Sequence, residues 1–217
     1  MSPYRVVLFD MDGVIVDSEQ HWGRIWREKI FPQVTGNPSL GEVTGRDYRE
    51  TIPELDQKYG LESDLEAVLS EFESYGREIY AEKAGSSDEL LALFDDLRDR
   101  DLAVGIVSSS PREWIQAVVD RFDLEPLSIV LSAGEIDGPG KPEPDVYEAA
   151  MAELGVDPAA CIVIEDSENG VRAADAAGAT VIRFQQSSTA EQMPEADAVA
   201  DDPSDLRRIL FELVDQE

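Results

Sequence analysis

The stretch "VVLFDMDGVIVDSE" (Val6 to Glu19) decides how the rest of the chain is read. Val6 to Phe9 form a short continuous apolar run, the pattern of a strand buried on both faces. Asp10 and Asp12 follow where that run ends. In an extended chain, residues i and i+2 point the same way, about 7 Å apart. Two carboxylates then share one side of a strand end, which costs electrostatic repulsion and calls for a metal ion or acid–base chemistry. The plainer explanation, an Asp-Gly turn in an acidic chain, applies to the motif standing alone.

Further apolar runs occur at Leu102 to Ser108, Ser128 to Ser132, Cys161 to Glu165 and Thr180 to Phe184, with a weaker one near Ala198. From Ser87 onward they alternate with helical patterns at Asp88 to Arg100, Pro111 to Arg121, Asp145 to Leu154, Gly170 to Ala177 and Ser204 to Val214. Such alternation predicts an α/β fold, a Rossmann-like parallel sheet covered on both faces. Gly155 and Gly178 stand where helix C-caps are expected. Between Val16 and Gly85 the pattern is helical only, near Ser18 to Ile30, Arg46 to Tyr59 and Glu62 to Lys83. This predicts a core of residues 1–16 and 86–217 with an inserted helical cap, 17–85, hinged near Val16 to Ser18 and Ala84 to Ser87.

Composition narrows the functional classes. The chain has 217 residues, 47 acidic against 18 basic, for a formal charge of −29. That field repels nucleic acid and anionic membranes. Acids spread through helical stretches suit a halophile's cytoplasm, where concentrated salt screens self-repulsion. No apolar run approaches a membrane span, and no secretory leader is evident, so a cytoplasmic location is expected. The single cysteine, Cys161, reads as a small core residue.

Ligands of open parallel sheets bind beyond the carboxyl ends of the strands. After the second run comes "SSSPREW", where Ser108 and Ser109 stand at a helix start that suits an anion. Ser110 and Glu113 are spaced as a capping box with Pro111 at the first helical position, and capping alone would account for Ser109 and Ser110. Lys141 lies between Gly140 and Pro142; a P-loop fails here, because Glu135 stands where its first glycine belongs. Glu165 and Asp166 end the fourth run. A carboxylate pair, serines, a lysine and a second carboxylate pair thus gather at one sheet edge. Carboxylates hold Mg²⁺ at roughly 2.1 Å, and metal plus lysine offset the charge of an approaching phosphate.

"DMDGVIVDSE", "VSSS", "GKPEPD" and "IEDSENG" resemble, in order and position, the four motifs of the haloacid dehalogenase superfamily. The insert resembles the helical cap of its phosphatase and β-phosphoglucomutase branch. The resemblance implies that Asp10 is the nucleophile forming an aspartyl-phosphate and Asp12 the general acid/base. It implies that Ser108, Ser109 and Lys141 bind phosphate, and that Mg²⁺ is held by Asp10, Asp166, Glu165 and the Asp12 carbonyl. The expected activity is a phosphatase of a small phosphorylated metabolite, a sugar phosphate or phosphoglycolate, in a monomer or small homo-oligomer. The alternatives are a phosphosugar mutase and, remotely, a non-catalytic binding member of the fold. Mutase members carry a cap histidine and arginine. Here His21 falls one residue before the usual position, which Trp22 occupies, and Arg46 and Arg49 flank the expected arginine.

Overall fold

The computed structural model describes residues 2–44, 46–185 and 196–215. Gly45 of the cap, and residues 186–195 and 216–217 of the expected core, lie outside the described residues. Six parallel strands form one sheet in the order β3-β2-β1-β4-β5-β6, namely β1 (Val6–Phe9), β2 (Ala103–Ser108), β3 (Ile129–Ser132), β4 (Cys161–Glu165), β5 (Thr180–Phe184) and β6 (Ala198–Ala200). Each coincides with an apolar run of the sequence, because strands buried on both faces need no polar alternation.

Period-2 alternation splits the core of the sheet in two. Val7 and Phe9 face one apolar cluster, Val6 and Leu8 the other. The first cluster is covered by helices α4 (Asp88–Arg98), α5 (Arg112–Phe122) and α8 (Pro203–Val214), and the second by α6 (Asp145–Leu154) and α7 (Glu168–Ala176). Gly155 and Gly178 take positive φ, 64° and 81°, at the ends of α6 and α7 as their positions predict.

Between β1 and α4 the described residues form no strand. Helix α1 (Glu19–Ile25) runs on into a π-helical turn, Trp26–Ile30. Helix α2 (Tyr48–Tyr59) follows, starting two residues later than the expected Arg46, where the Asp47 carboxylate caps the Arg49 amide at 2.8 Å. Helix α3 (Leu65–Glu78), capped by Asp64, ends in a second π turn, Ile79–Lys83. The cap is therefore the helical insert that the sequence predicts. Its two connections pair with each other, Asp17 donating to the Gly85 carbonyl at 2.8 Å. None of the described helices is long and apolar enough to cross a membrane.

Cap and core meet across an aromatic seam. The Trp114 ring of α5 lies 5.4 Å from Trp22, 5.3 Å from Tyr48 and 5.4 Å from Tyr80, all carried by the cap. Phe72 of α3 stacks on Trp22 at 4.6 Å. Trp22 and Trp26 share one helix face, and both contact Phe72. Polar contacts join the same two parts: Arg49 with Glu113 at 3.4 Å, and Arg121 donating to the Tyr80 carbonyl at 3.1 Å.

Candidate active site

Register brings the chemistry together. Phe9 lies beside Ile106 of β2 and Ile164 of β4, so Asp10, one residue on, comes beside Glu165. The strand order reverses direction at β1, with β2 and β3 on one side and β4 to β6 on the other. That switch point opens a crevice at the carboxyl ends. Asp10, Ser18, Ser108, Ser110, Lys141, Glu165 and Asp166 are all buried there. Polar groups this deep need partners or a ligand.

Lys141 supplies one set of partners. Its Nζ lies 2.6 Å from Asp10 Oδ1 and 2.6 Å from Glu165 Oε1. Burial pulls the ammonium down, but the two carboxylates outweigh it and hold Lys141 well above the usual lysine range. Glu165 is saturated. Its Oε1 also accepts from the Tyr147 hydroxyl at 2.6 Å, while Oε2 accepts from the Asp166 and Ser167 amides and the Ser167 hydroxyl.

Asp166 is the opposite case, since among the described residues no donor reaches its carboxylate. Burial, and then repulsion from Glu19, Glu165, Asp10 and Asp12, push it well above the usual carboxylate range. Burial also raises Asp10, with Lys141 opposing and Glu165 and Asp12 adding to the rise. Four carboxylates against one ammonium, three of the four buried, leave uncompensated negative charge. Oxygen ligands of Asp10, Glu165 and Asp166 lie within 4.8 Å of one another. An all-oxygen set around an undonated carboxylate fits a hard divalent cation such as Mg²⁺.

Ser108 is 1% exposed and accepts the Ser110 amide at 3.0 Å, which leaves its own O–H to donate. Ser109 is half-buried and also lines the crevice. The expected Ser110–Glu113 capping box does not form. Pro111 takes the cap position itself, Glu113 turns to Arg49, and the Ser110 hydroxyl donates to Asp12 Oδ2 at 2.7 Å. Asp12 Oδ1 accepts from Ser18 and, at 2.5 Å, from Tyr80. Ser110 and Tyr80 are thus site residues that sequence reasoning missed. The triple serine was the only signal pointing at Ser110.

A cavity of about 820 Å³ opens over these groups. The core contributes Asp10, Asp12, Ser108, Ser109, Lys141 and Asp166. The cap contributes aromatic faces (Trp22, Trp26, Tyr48, Phe72) and polar groups including Gln20, Arg27 and Arg46. Trp22 and Arg46 therefore reach the cavity, although Arg46 is paired with Glu54 at 2.9 Å. His21 and Arg49 do not. His21 lines a separate, smaller pocket with Arg24, Lys29 and Tyr75, and Arg49 lies between Glu73 and Glu113.

A family model described as haloacid dehalogenase-like hydrolase matches residues 4–178. The validoxylamine A 7'-phosphate phosphatase of Streptomyces hygroscopicus is 28% identical over 209 residues, 94% of this chain and 96% of that protein. Hexitol phosphatase B of Escherichia coli is 31% identical over 193 residues, 82% of this chain and 83% of that protein. In fold, the crystal structure of β-phosphoglucomutase from Clostridium difficile superposes with a TM-score of 0.79 at 20% identity, over 98% of this chain and 97% of the other.

Proposed function

Because the chain belongs to the haloacid dehalogenase-like hydrolase family, we propose that it is a Mg²⁺-dependent phosphatase of a phosphorylated sugar or polyol, working through an aspartyl-phosphate on Asp10. One observation carries this reading: Asp10, clamped by Lys141 beside an undonated Asp166, faces a cavity of about 820 Å³ walled by cap aromatics. Ligand pockets span about 300–1,000 Å³, so this one suits a hexitol or larger partner better than a two-carbon acid. Aromatic walls with a few polar groups also suit the alternating faces of a carbohydrate. The two relatives named above, by name a validoxylamine A 7'-phosphate phosphatase and a hexitol phosphatase, support the same class.

The residues divide the work as follows. Asp10, Asp166 and the Asp12 carbonyl would hold the cation, which when bound offsets the charge of the phosphoryl group. Glu165, its oxygens already taken, orients Lys141. Lys141 and the Ser108 hydroxyl bind the phosphoryl oxygens, with Ser109 beside them. Asp10 attacks phosphorus in line as the ester bond breaks, and Asp12 protonates the departing oxygen. Asp12 then takes a proton from the water that attacks the aspartyl-phosphate and returns Asp10 to its starting state. The cap, residues 17–85, covers the core, 1–16 and 86–217, and limits water while the ester is bound. Its boundary is supported by the Asp17–Gly85 pairing.

A hydrolase is favoured over a mutase because His21, the nearest candidate for a cap histidine, lies in a pocket separate from the cavity. Phosphate release from a panel of hexitol, hexose and glycolate phosphates, with and without Mg²⁺ in molar KCl, tests the reading. Metal-dependent release from the polyol and sugar esters is expected. Conversion of β-glucose 1-phosphate to glucose 6-phosphate without free phosphate would make the protein a mutase.

A further inference from the structure

Asp12 is held by three hydroxyls that come from three parts of the chain: Ser18 at the start of the cap, Tyr80 at its end and Ser110 on the loop after β2. Tyr80 is fully buried, and its phenolic oxygen accepts the Trp22 indole N–H at 2.9 Å. A phenol has one proton to give. With the indole already donating to it, Tyr80 directs that proton to Asp12 Oδ1, 2.5 Å away. A hydroxyl donating to a carboxylate makes a short, charge-assisted bond, and here the donor is fully buried. The phenol ring is fixed by Trp114 at 5.4 Å and Trp22 at 6.1 Å, so the hydroxyl has little room to swing.

Ser110 is placed differently. Its oxygen lies 2.7 Å from Asp12 Oδ2 and 3.2 Å from the Tyr80 oxygen, so its single proton has two acceptors within reach. Oδ1 is therefore the fixed end of Asp12, and Oδ2 is the end whose partner can turn away.

We propose that Tyr80 is a positioning residue that anchors Oδ1 of Asp12, leaving Oδ2 as the oxygen that exchanges the proton with substrate and water. The proposal rests on the acid–base reading of Asp12. In the first step Oδ2 gives its proton to the bridging ester oxygen as that oxygen's bond to phosphorus breaks and the bond from Asp10 forms. In the second, Oδ2 takes a proton from water as the water oxygen bonds to phosphorus and the bond to Asp10 breaks. While Oδ2 carries the proton, the Ser110 hydroxyl turns to Tyr80. Trp22 lines the substrate cavity, so the run Trp22–Tyr80–Asp12 ties the seating of the cap to the aim of the acid.

Leaving groups separate this role from a merely structural one. An alkyl phosphate such as a hexitol phosphate needs its departing oxygen protonated, and 4-nitrophenyl phosphate hardly does. Tyr80→Phe keeps the ring and removes the hydroxyl. It is expected to lower kcat/KM, which reports the first step, about 10-fold more for the hexitol phosphate than for the aryl phosphate. Trp22→Phe, which leaves every group touching Asp12 in place, is expected to show the same bias to a smaller degree. Equal losses on the two substrates, or none, in Tyr80→Phe would overturn the anchor. Asp12→Asn separates the two levels. A biased loss there with an unbiased loss in Tyr80→Phe removes the anchor alone. An unbiased loss in Asp12→Asn removes the acid–base reading and the anchor with it.

Discussion

At Gly13 the backbone turns with φ of 77°, and a Cβ there would sit 1.8 Å from Asp166 Oδ2. Glycine is required twice over, by the backbone and by the approach of the carboxylate. Gly13→Ala is expected to cost about 1–3 kcal/mol in stability and to weaken cation binding. Thermal unfolding with a Mg²⁺ titration reads both, and an unchanged midpoint and affinity would deny the close approach. Cys161 makes a different prediction. Burial pushes its thiol up to about 12, so the reactive thiolate is scarce at pH 8 and alkylation should occur only as the protein unfolds. Rapid labelling of the native protein would contradict that burial. In the candidate site, the gathering of Asp10, Asp12, Lys141 and Asp166 was legible because each lies beyond the end of a strand in an ordered motif. Ser110 and Tyr80 were not. Their bonds to Asp12 span 98 and 68 positions, and a buried phenol at a helix end reads as ordinary core.

Strands were the most legible elements, since a parallel sheet buried on both faces leaves unbroken apolar runs in the sequence. Helix ends were less so. Ser110 has a capping residue's identity and spacing, but bonding to a carboxylate displaced it from that role. The π turns at Trp26–Ile30 and Ile79–Lys83 left no local signal, because they share the composition of the helices they end. The cap's seat on the core includes one close approach: a Cβ at Gly76 of α3 would meet Trp114 at 2.1 Å. Gly76→Ala is expected to destabilise the protein by about 1–3 kcal/mol through overpacking, despite alanine's better helix propensity. Denaturant unfolding checks it, and a stabilised variant would mean that the seam is loose. Binding of vanadate is expected to slow hydrogen exchange at Val16 to Ser18 and Ala84 to Ser87, the paired connections. Unaltered exchange there would count against a hinge.

Over the whole molecule the formal charge is −29, and no motif accounts for it. Ionic screening shortens from about 10 Å at 0.1 M salt to about 3 Å at 1 M. If self-repulsion governs stability, the unfolding midpoint should rise steadily from dilute buffer into molar KCl, while equimolar sucrose should not reproduce the rise. A flat salt dependence would remove the link between this charge and a saline cytoplasm. On the proposed reading, the same field would leave the crevice dependent on Lys141 and a bound cation to receive an anionic ester. The central claim is that Asp10 carries the phosphoryl group. The most direct test is to quench the enzyme in acid during turnover of a hexitol phosphate and reduce it with borohydride, which converts an aspartyl-phosphate to homoserine. Peptide mass spectrometry is then expected to find homoserine at position 10, and none in Asp10→Asn. Steady phosphate release with no modification at position 10, or with modification at another carboxylate, would contradict the account.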